Sequence, residues 1–326
     1  MSHDEIGIRI FAGSASKSFV QKMCDFLGVE AGLSQTIVFS EGNTFVKILE
    51  KVRDKDVYVV QSIALHPNDE FMELLFWIDA FKRSSANSVT AIIPYFSYAK
   101  GDKKDEPRVS IRARVCADCL EITGVDRIIT MDLHSPQIQG FFKKPVDHLS
   151  AMPILCRYIR SKRIENLVVV SPDAGFTKSA RKFATFLKSP LAIADKVRMG
   201  HDEKAEIVDM IGEVKGRNAL IVDDFTLSGG TLVDMARALK EQGAERIYAC
   251  VSHAVLGERG LTALENSPIE ELVVTDSIDN ARAFEHPKIK MVTVADMFAE
   301  AVQIIHNKDS LSQLFDRLNA ESQTDD

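Results

Sequence analysis

Residues 219–232 combine an apolar strand, two adjacent carboxylates and a turn of small residues that leads into a helix. The turn from Ser228 to Thr231 places small side chains and backbone N–H groups at a helix N-terminus, where a phosphate binds readily. Asp223 and Asp224 directly precede it and could accept hydrogen bonds from sugar hydroxyls or hold a metal. The spacing predicts a site for a mononucleotide or a sugar phosphate, and an ordinary strand-turn-helix connection is the alternative.

His134 and Asp173 each follow an apolar strand and form a second candidate group. One nitrogen and one carboxylate, completed by phosphate oxygens and water, would suit Mg²⁺, which keeps few protein ligands. The alternative for the histidine is a purely structural role. Lys196 and Arg198 are two residues apart in a predicted strand and would face the same side. Two cations on one face could stabilise charge on a transferring phosphate group.

Two more polar segments follow predicted strands. A turn around residues 39–44 separates two short strands, and the loop 100–108 carries four basic residues, at positions 100, 103, 104 and 108. Open parallel sheets bind ligands at the carboxyl ends of their strands, so we expect several of these segments to converge on one cleft. A solvated charged loop is an equally simple interpretation of residues 100–108.

Strands and helices alternate along the chain, which predicts an α/β protein with mainly parallel, twisted sheets flanked by helices. The alternation restarts after residue 150, so we expect two domains, 1–150 and 151–326, with the last helices as candidates to pack back on the first. Trp77 is expected in the core or a subunit interface. The side chains of the helix around it that we expect to face the sheet are Met72, Leu75, Phe76, Ile78 and Phe81.

Composition excludes several functional classes. The chain has 326 residues and a net charge of −7, which argues against non-specific binding to nucleic acid. Its five cysteines are scattered, as reduced thiols are, and Cys116-x-x-Cys119 has no second pair to complete a metal site. A Walker A motif, a signal peptide and a membrane-spanning run are absent from the sequence. We therefore expect a soluble, cytoplasmic protein that does not bind membranes.

Several longer motifs resemble the ribose-phosphate pyrophosphokinase (phosphoribosyl-diphosphate synthetase) family. The motif over residues 131–142, Met-Asp-Leu-His-Ser-Pro-Gln-Ile-Gln-Gly-Phe-Phe, is long and specific, whereas the Asp-Asp…Gly-Gly-Thr loop alone indicates only a phosphoribosyl binder. The resemblance spans nearly the whole chain and implies two phosphoribosyltransferase-like domains. The other matching segments are 40–42, 94–99, 145–149, 168–175 and 304–308.

The resemblance implies transfer of a diphosphate from ATP to the 1-hydroxyl of ribose 5-phosphate, giving phosphoribosyl diphosphate and AMP, with Mg²⁺. By residue, it implies metal ligation by His134 and Asp173 and catalysis by Lys196 and Arg198. It also implies a homohexamer built from dimers, in which a neighbour donates part of the ATP site. The implied ATP-binding residues are Phe39, Glu41, Gly42, Asn43, Lys100 and Gly101, and those for ribose 5-phosphate are Arg198, Asp223, Asp224, Leu227, Ser228, Gly229, Gly230 and Thr231.

Three segments depart from the family pattern. Glu41-Gly-Asn43 replaces Asp-Gly-Glu and loses one carboxylate, and Leu227 replaces an aspartate in the phosphate loop. Lys100-Gly101 replaces Arg-Gln, which removes a bidentate fork and an amide. Because the metal ligands and Lys196 are retained, the sequence favours an active, divergent enzyme. The alternatives at this point are a non-catalytic regulatory homologue and a phosphoribosyltransferase that consumes phosphoribosyl diphosphate.

Overall fold

The computed structural model describes residues 8–197 and 206–320. Their contacts divide the chain into two compact units. The first contains the chain up to Ser150 together with Ser277–Asp279 and Val294–Asp316. The second contains Ala151–Asp276, Asn280–Thr293 and the chain from Arg317 onwards. No helix of the described ranges is long and apolar enough to cross a bilayer.

The helices and strands follow one another in close alternation. In chain order they begin with β1 (Ile8–Ala12), α1 (Lys17–Leu27), β2 (Ser34–Val38), β3 (Thr44–Ile48), β4 (Asp56–Val60), α2 (Pro67–Arg83), β5 (Ser88–Ile93), α3 (Arg112–Thr123), β6 (Arg127–Met131) and β7 (Val146–Leu149). They continue with α4 (Met152–Ser161), β8 (Leu167–Ser171), α5 (Thr177–Phe186), β9 (Leu191–Val197), β10 (Glu206–Ile211), β11 (Asn218–Thr226), α6 (Gly230–Glu241), β12 (Ile247–Ala254), α7 (Glu258–Glu265), β13 (Ile269–Thr275), α8 (Ala281–Phe284), β14 (Ile289–Val292), α9 (Ala295–His306) and α10 (Ser312–Ala320).

Each unit is built on its own sheet. The first has a parallel sheet in the order β1-β4-β5-β6-β7, and β2 and β3 form a separate antiparallel hairpin. The second has the order β10-β9-β8-β11-β12-β13-β14, in which β10 is antiparallel to β9 and the other pairs are parallel. The prediction of an α/β fold with mainly parallel sheets is confirmed. Ligand-binding residues are therefore expected at the carboxyl ends of the parallel strands.

Helix α2 shows which apolar residues reach the core of the first unit. Trp77 is fully buried and stacks on Phe81, with ring centroids 5.6 Å apart. Ile78 and Leu74 are buried on the same face. The prediction that Met72 and Phe76 face the sheet is wrong: both are exposed, because the helical period places them opposite the face that carries Leu74 and Ile78. These two side chains therefore lie outside this unit's core.

Candidate active site

The neighbouring strands β8 and β11 carry the predicted carboxylates of the second unit at their carboxyl ends. The two strands pair in parallel, with Ile221 opposite Val170. Asp173 follows the end of β8, and Asp223 and Asp224 lie near the end of β11. Because parallel strands end on the same edge of a sheet, the structure brings these three carboxylates into one region, and the charge of Asp173 helps to raise the pKa of Asp223.

The pKa of Asp223 is raised by its surroundings. Burial is the largest cause and the adjacent charge of Asp224 is the next, and together they raise the pKa of Asp223 to about 8. Asp224 N donates to Asp223 Oδ1 at 2.9 Å, and Phe225 N donates to Asp224 Oδ1 at 2.9 Å. A carboxyl group that keeps its proton near neutral pH ionises readily only when a cation or a hydrogen-bond donor is added beside it.

Asp173 is exposed, and its backbone is fixed by the turn into α5. Phe176 N donates to Asp173 Oδ1 at 2.9 Å. The carbonyl oxygen of Asp173 accepts hydrogen bonds from Ser171 Oγ at 2.8 Å and from Thr177 Oγ1 at 3.3 Å. The carboxylate is thus held at the rim of the sheet, where an ion or a ligand can reach it.

The loop 227–231 joins β11 to α6 with the small side chains that the sequence predicted. Gly229 has φ 72°, a left-handed conformation that favours glycine. Gly230 N donates to Ser228 Oγ at 3.4 Å, and the structure records no acceptor for the backbone N–H groups of Ser228 and Gly229 within the ranges it describes. Leu227 is exposed. Free N–H groups at the start of α6 are suited to a phosphate group.

Gly260 packs against the backbone of this loop at Ser228. This contact was not predicted from the sequence. A Cβ atom added to Gly260 would lie 3.0 Å from the carbonyl oxygen of Ser228 and 2.9 Å from Leu256 Cδ2. Helix α7, which carries Gly260, was not predicted from the sequence. The signal that could have found it is the pair Gly257 and Gly260, because a glycine inside a helix usually marks a close approach of backbone.

The predicted catalytic pair lies partly outside the described residues. Lys196 is on β9, which pairs with β8, and its backbone lies opposite Ile207 of β10. The side chain of Lys196 and all of Arg198 fall outside the part of the chain that the structure describes. Their assignment to catalysis therefore stays a prediction from the family resemblance.

His134 belongs to the first unit and is exposed beyond the end of β6. Before it, Asp132 has φ 39° and Leu133 N donates to His148 Nε2 at 2.9 Å. This turn fixes the backbone that leads to His134. Asp173 lies in the second unit, so each of the two predicted metal ligands is described within its own unit. The described residues contain no cluster of three or more His, Cys, Asp or Glu side chains suited to a metal ion.

The predicted ATP-binding turn joins β2 to β3. Phe39 N donates to the carbonyl oxygen of Asn43 at 2.8 Å, and Gly42 N donates to that of Phe39 at 2.9 Å. Phe39, Glu41, Gly42 and Asn43 are all exposed. The prediction of two short strands around this turn is confirmed, because β2 and β3 pair with each other in an antiparallel hairpin. A tight turn suffices for antiparallel strands, whereas parallel strands need a crossover.

Lys100 and Gly101 lie between β5 and α3. Lys100 ends a 3-10 helix, Ser97–Lys100, and Gly101 is buried directly after it. Gly101 N donates to the carbonyl oxygen of Tyr98 at 2.9 Å, and Ala113 N donates to the carbonyl oxygen of Gly101 at 3.1 Å. The first turn of α3 is therefore anchored on the backbone of Gly101.

A buried carboxylate on α2, Glu73, ties the hairpin to the first sheet, and the sequence analysis did not find it. It accepts hydrogen bonds from Thr36 Oγ1 of β2 at 2.9 Å and from Ser14 N at 3.0 Å. It also accepts from the Ser14 hydroxyl, from Gln61 Nε2 at 3.1 Å and from Trp77 Nε1 at 3.2 Å. A charge surrounded by this many donors fixes the hairpin and the loop after β1 to one helix.

Two family descriptions match the sequence. The one described as the N-terminal domain of ribose phosphate pyrophosphokinase matches residues 8–124. The one described as the phosphoribosyl synthetase-associated domain matches residues 194–316. Together they cover parts of both units.

Individual proteins match nearly the full length. A ribose-phosphate pyrophosphokinase of Clostridium tetani is 42% identical over 319 residues, which cover 97% of this chain and 99% of that protein. The enzyme of the same name from Caldanaerobacter subterraneus subsp. tengcongensis is 44% identical over 94% of this chain and 98% of its own length. The crystal structure of phosphoribosylpyrophosphate synthetase from Mycobacterium smegmatis superposes with a TM-score of 0.87 at 35% identity, covering 92% of this chain and 99% of that one. The chain therefore belongs to the ribose-phosphate pyrophosphokinase family.

Proposed function

We propose that this protein is a ribose-phosphate diphosphokinase, which transfers a diphosphate group from ATP to the 1-hydroxyl of ribose 5-phosphate. The products are 5-phosphoribosyl 1-diphosphate, for nucleotide biosynthesis, and AMP. The observation that carries the proposal is the grouping of Asp173, Asp223 and Asp224 beside the loop 227–231 on neighbouring strands. It supplies acceptors for sugar hydroxyls next to donors for a phosphate, as a sugar phosphate requires.

The loop 227–231 is the proposed site of the 5-phosphate. Its free N–H groups and the N-terminus of α6 supply donors without a fixed positive side chain. Asp223 and Asp224 are placed to accept hydrogen bonds from ribose hydroxyls. Leu227 offers no acceptor, so we propose that this loop holds the phosphate well and the ribose ring with one contact fewer than an aspartate would give.

Mg²⁺ fits the donor set of the two predicted ligands. An exposed carboxylate at Asp173 and an exposed imidazole at His134 leave room for phosphate oxygens and water, and Mg²⁺ usually keeps several such ligands. We assign both residues to Mg²⁺ on this basis. The ion would neutralise charge on the ATP phosphates during the transfer.

The chain's own residues position the two substrates. The ATP-binding positions Phe39, Glu41, Gly42, Asn43, Lys100 and Gly101 all lie in the first unit, and the ribose 5-phosphate loop lies in the second. We assign Lys196 and Arg198 to stabilising charge on the transferring group, since moving a diphosphate requires in-line placement of two anionic partners. Exclusion of water around them would protect ATP from hydrolysis.

Self-association is also proposed, as a homohexamer of dimers in which a neighbour completes the ATP site. Most of the large apolar side chains that are exposed belong to the first unit, on the hairpin and on α2 and α3. Large exposed apolar surfaces commonly mark interfaces. We further propose that the protein works in the cytoplasm, with ATP and ribose 5-phosphate as its partners.

The test is an assay of purified protein with ATP, Mg²⁺ and ribose 5-phosphate, in which AMP and phosphoribosyl diphosphate are measured. We expect equal amounts of both products and none without ribose 5-phosphate. AMP production that required an added nucleobase would indicate a phosphoribosyltransferase. Binding of ATP without any turnover would indicate a regulatory homologue.

A second measurement tests the role of Lys196. Lys196→Ala is expected to lower kcat strongly and to leave the Kd of ribose 5-phosphate nearly unchanged, because the phosphate loop does not include it. Equal losses in kcat and in ribose 5-phosphate affinity would show that Lys196 binds this substrate instead.

A further inference from the structure

The side chain of Arg112, in the first turn of α3, lies so close over Gly101 that a side chain at position 101 would displace it. A Cβ atom placed on Gly101 would lie 2.6 Å from Nε and 2.9 Å from Cβ of Arg112. Real Cβ contacts essentially never fall below 3.0 Å. The absence of a side chain at position 101 therefore makes the room in which the guanidinium of Arg112 lies.

Among the described residues, the positive charge of Arg112 makes no contact that stabilises α3. The residue is exposed, and its guanidinium has no hydrogen-bond or ion-pair partner among the residues that the structure describes. It is the first residue of α3, where the helix dipole disfavours a cation, and no acidic residue lies in this turn. The neighbouring Arg114 differs, because it pairs with Asp118 at 2.6 Å. A residue that breaks a local rule without structural gain indicates a functional role.

We propose that Arg112 is a binding residue for the donor nucleotide and contacts its phosphate oxygens through the two-pronged face of the guanidinium. The inference rests on the proposed function, in which Lys100-Gly101 forms part of the ATP site. Lysine at position 100 provides a point charge, whereas a guanidinium binds phosphate through two parallel hydrogen bonds. Because Arg112 lies over Gly101, its guanidinium supplies the two parallel hydrogen bonds that Lys100 and Gly101 cannot form.

The surrounding charges fit an anionic ligand. Lys100 lies next to Gly101, and Lys103, Lys104 and Arg108 follow in the same exposed loop. Among the described residues, no acidic side chain of this loop forms an ion pair with Arg112, whose charge acts instead on Tyr98 and Cys116. An unpaired arginine in a basic segment raises the local concentration of a polyphosphate and gives it a defined contact.

The experiment compares Arg112→Ala and Arg112→Lys with the wild type and with Arg83→Ala. Arg83 is a matched control, because it is an exposed arginine at the far end of α2 and pairs with Asp79 at 2.7 Å. Three constants are measured: the KM of ATP, the KM of ribose 5-phosphate, and the Kd of MgATP by calorimetry without ribose 5-phosphate. Thermal unfolding checks that all variants are folded.

We expect Arg112→Ala to raise the KM and the Kd of ATP by about tenfold or more, as the loss of a charge-assisted contact predicts. Arg112→Lys should recover only part of this loss, because it restores the charge without the fork. The KM of ribose 5-phosphate should stay within about twofold in both variants, since its proposed site lies on other elements. Arg83→Ala should match the wild type.

The inference is overturned if Arg112→Ala leaves the KM and Kd of ATP at the wild-type values, or if it raises the KM of both substrates equally. Full recovery by Arg112→Lys would overturn the two-pronged contact. These results differ from failure of the proposed function, which would appear as a wild-type protein that forms no AMP from ATP and ribose 5-phosphate.

Discussion

Adjacent carboxyl groups near the end of a buried strand cannot both lose their protons easily. In the folded protein the pKa of Asp223 is raised to about 8, mainly by burial and then by Asp224. The ordinary value is 3.8. Between these two values the folded state holds a proton that the unfolded state has released, so stability falls as pH rises through this window.

Replacing Asp223 by asparagine should therefore have a pH-dependent effect on stability. Without Mg²⁺ or substrate, we expect Asp223→Asn to gain in Tm relative to the wild type as pH rises from about 4 to about 8, because asparagine cannot ionise. Thermal unfolding at several pH values measures this. The control is Asp234→Asn on α6, whose exposed carboxylate lies 3.7 Å from Arg237. A Tm difference that is constant across the window would contradict the prediction.

At the scale of elements, α7 packs against the loop 227–231, the proposed phosphate site, through Gly260. Gly260→Ala would bring a methyl group within 3.0 Å of the Ser228 carbonyl oxygen, and the loop must move to avoid it. We expect kcat/KM for ribose 5-phosphate to fall by about tenfold or more, since small displacements in the proposed site of this substrate would be costly. The KM of ATP should change little. Steady-state kinetics with each substrate varied in turn makes the measurement.

Gly257→Ala is the matched control for this prediction. Gly257 precedes α7 in the same segment, and a Cβ atom there would meet nothing within 4 Å. The variant should therefore keep wild-type kinetics with both substrates. If Gly257→Ala and Gly260→Ala behaved alike, the close approach of α7 to Ser228 would not be the cause.

Helix α2 holds the hairpin through Glu73, so this carboxylate should matter for stability. Glu73→Gln keeps the shape but turns an amide NH₂ group towards donors such as Thr36 Oγ1 and Trp77 Nε1. We expect the free energy of unfolding to fall by about 2–4 kcal/mol, as for other broken buried networks. Urea denaturation measures it. Asp79→Asn on the same helix breaks only an exposed ion pair and should cost no more than about 1 kcal/mol. Similar losses in both variants would rule out a special role for Glu73.

At the scale of the whole molecule, exposed apolar side chains on the first unit are candidates for a subunit contact. Ile122 on α3 is 89% exposed, and Val115, seven residues earlier on the same helical face, is 53% exposed. Since neither packs into its own unit, an aspartate at Ile122 should leave the fold intact. We expect Ile122→Asp to reduce the proposed homohexamer to smaller species in analytical ultracentrifugation, and Ile122→Val to leave it unchanged. An unchanged sedimentation coefficient in Ile122→Asp would exclude this face from the interface.

Much of the site could be predicted from residue types and spacing. Asp223, Asp224 and the Ser-Gly-Gly-Thr loop carry their chemistry in one continuous segment, because a strand that runs into a helix N-terminus is a local structure. Asp173 was identified for the same reason, as a carboxylate directly after an apolar strand. The alternation of strands and helices likewise determined the fold class, since it depends on periods of two and 3.6 residues that a sequence displays directly.

Only the tertiary structure decided which distant segments touch. In the sequence, Glu73 is indistinguishable from the other acidic residues of its helix. The hydrogen bonds that it accepts come from residues 14, 36, 61 and 77. The contacts of Gly260 with the Ser228 backbone and of Gly101 with the Arg112 side chain depend on tertiary packing, which no local pattern encodes. The two strands around the turn at 39–44 could be predicted from the sequence, but their separation from the parallel sheet could not, because it depends on non-local pairing. Sequence thus determined the chemistry of the loop at 227–231, and packing decided which residues hold it in shape.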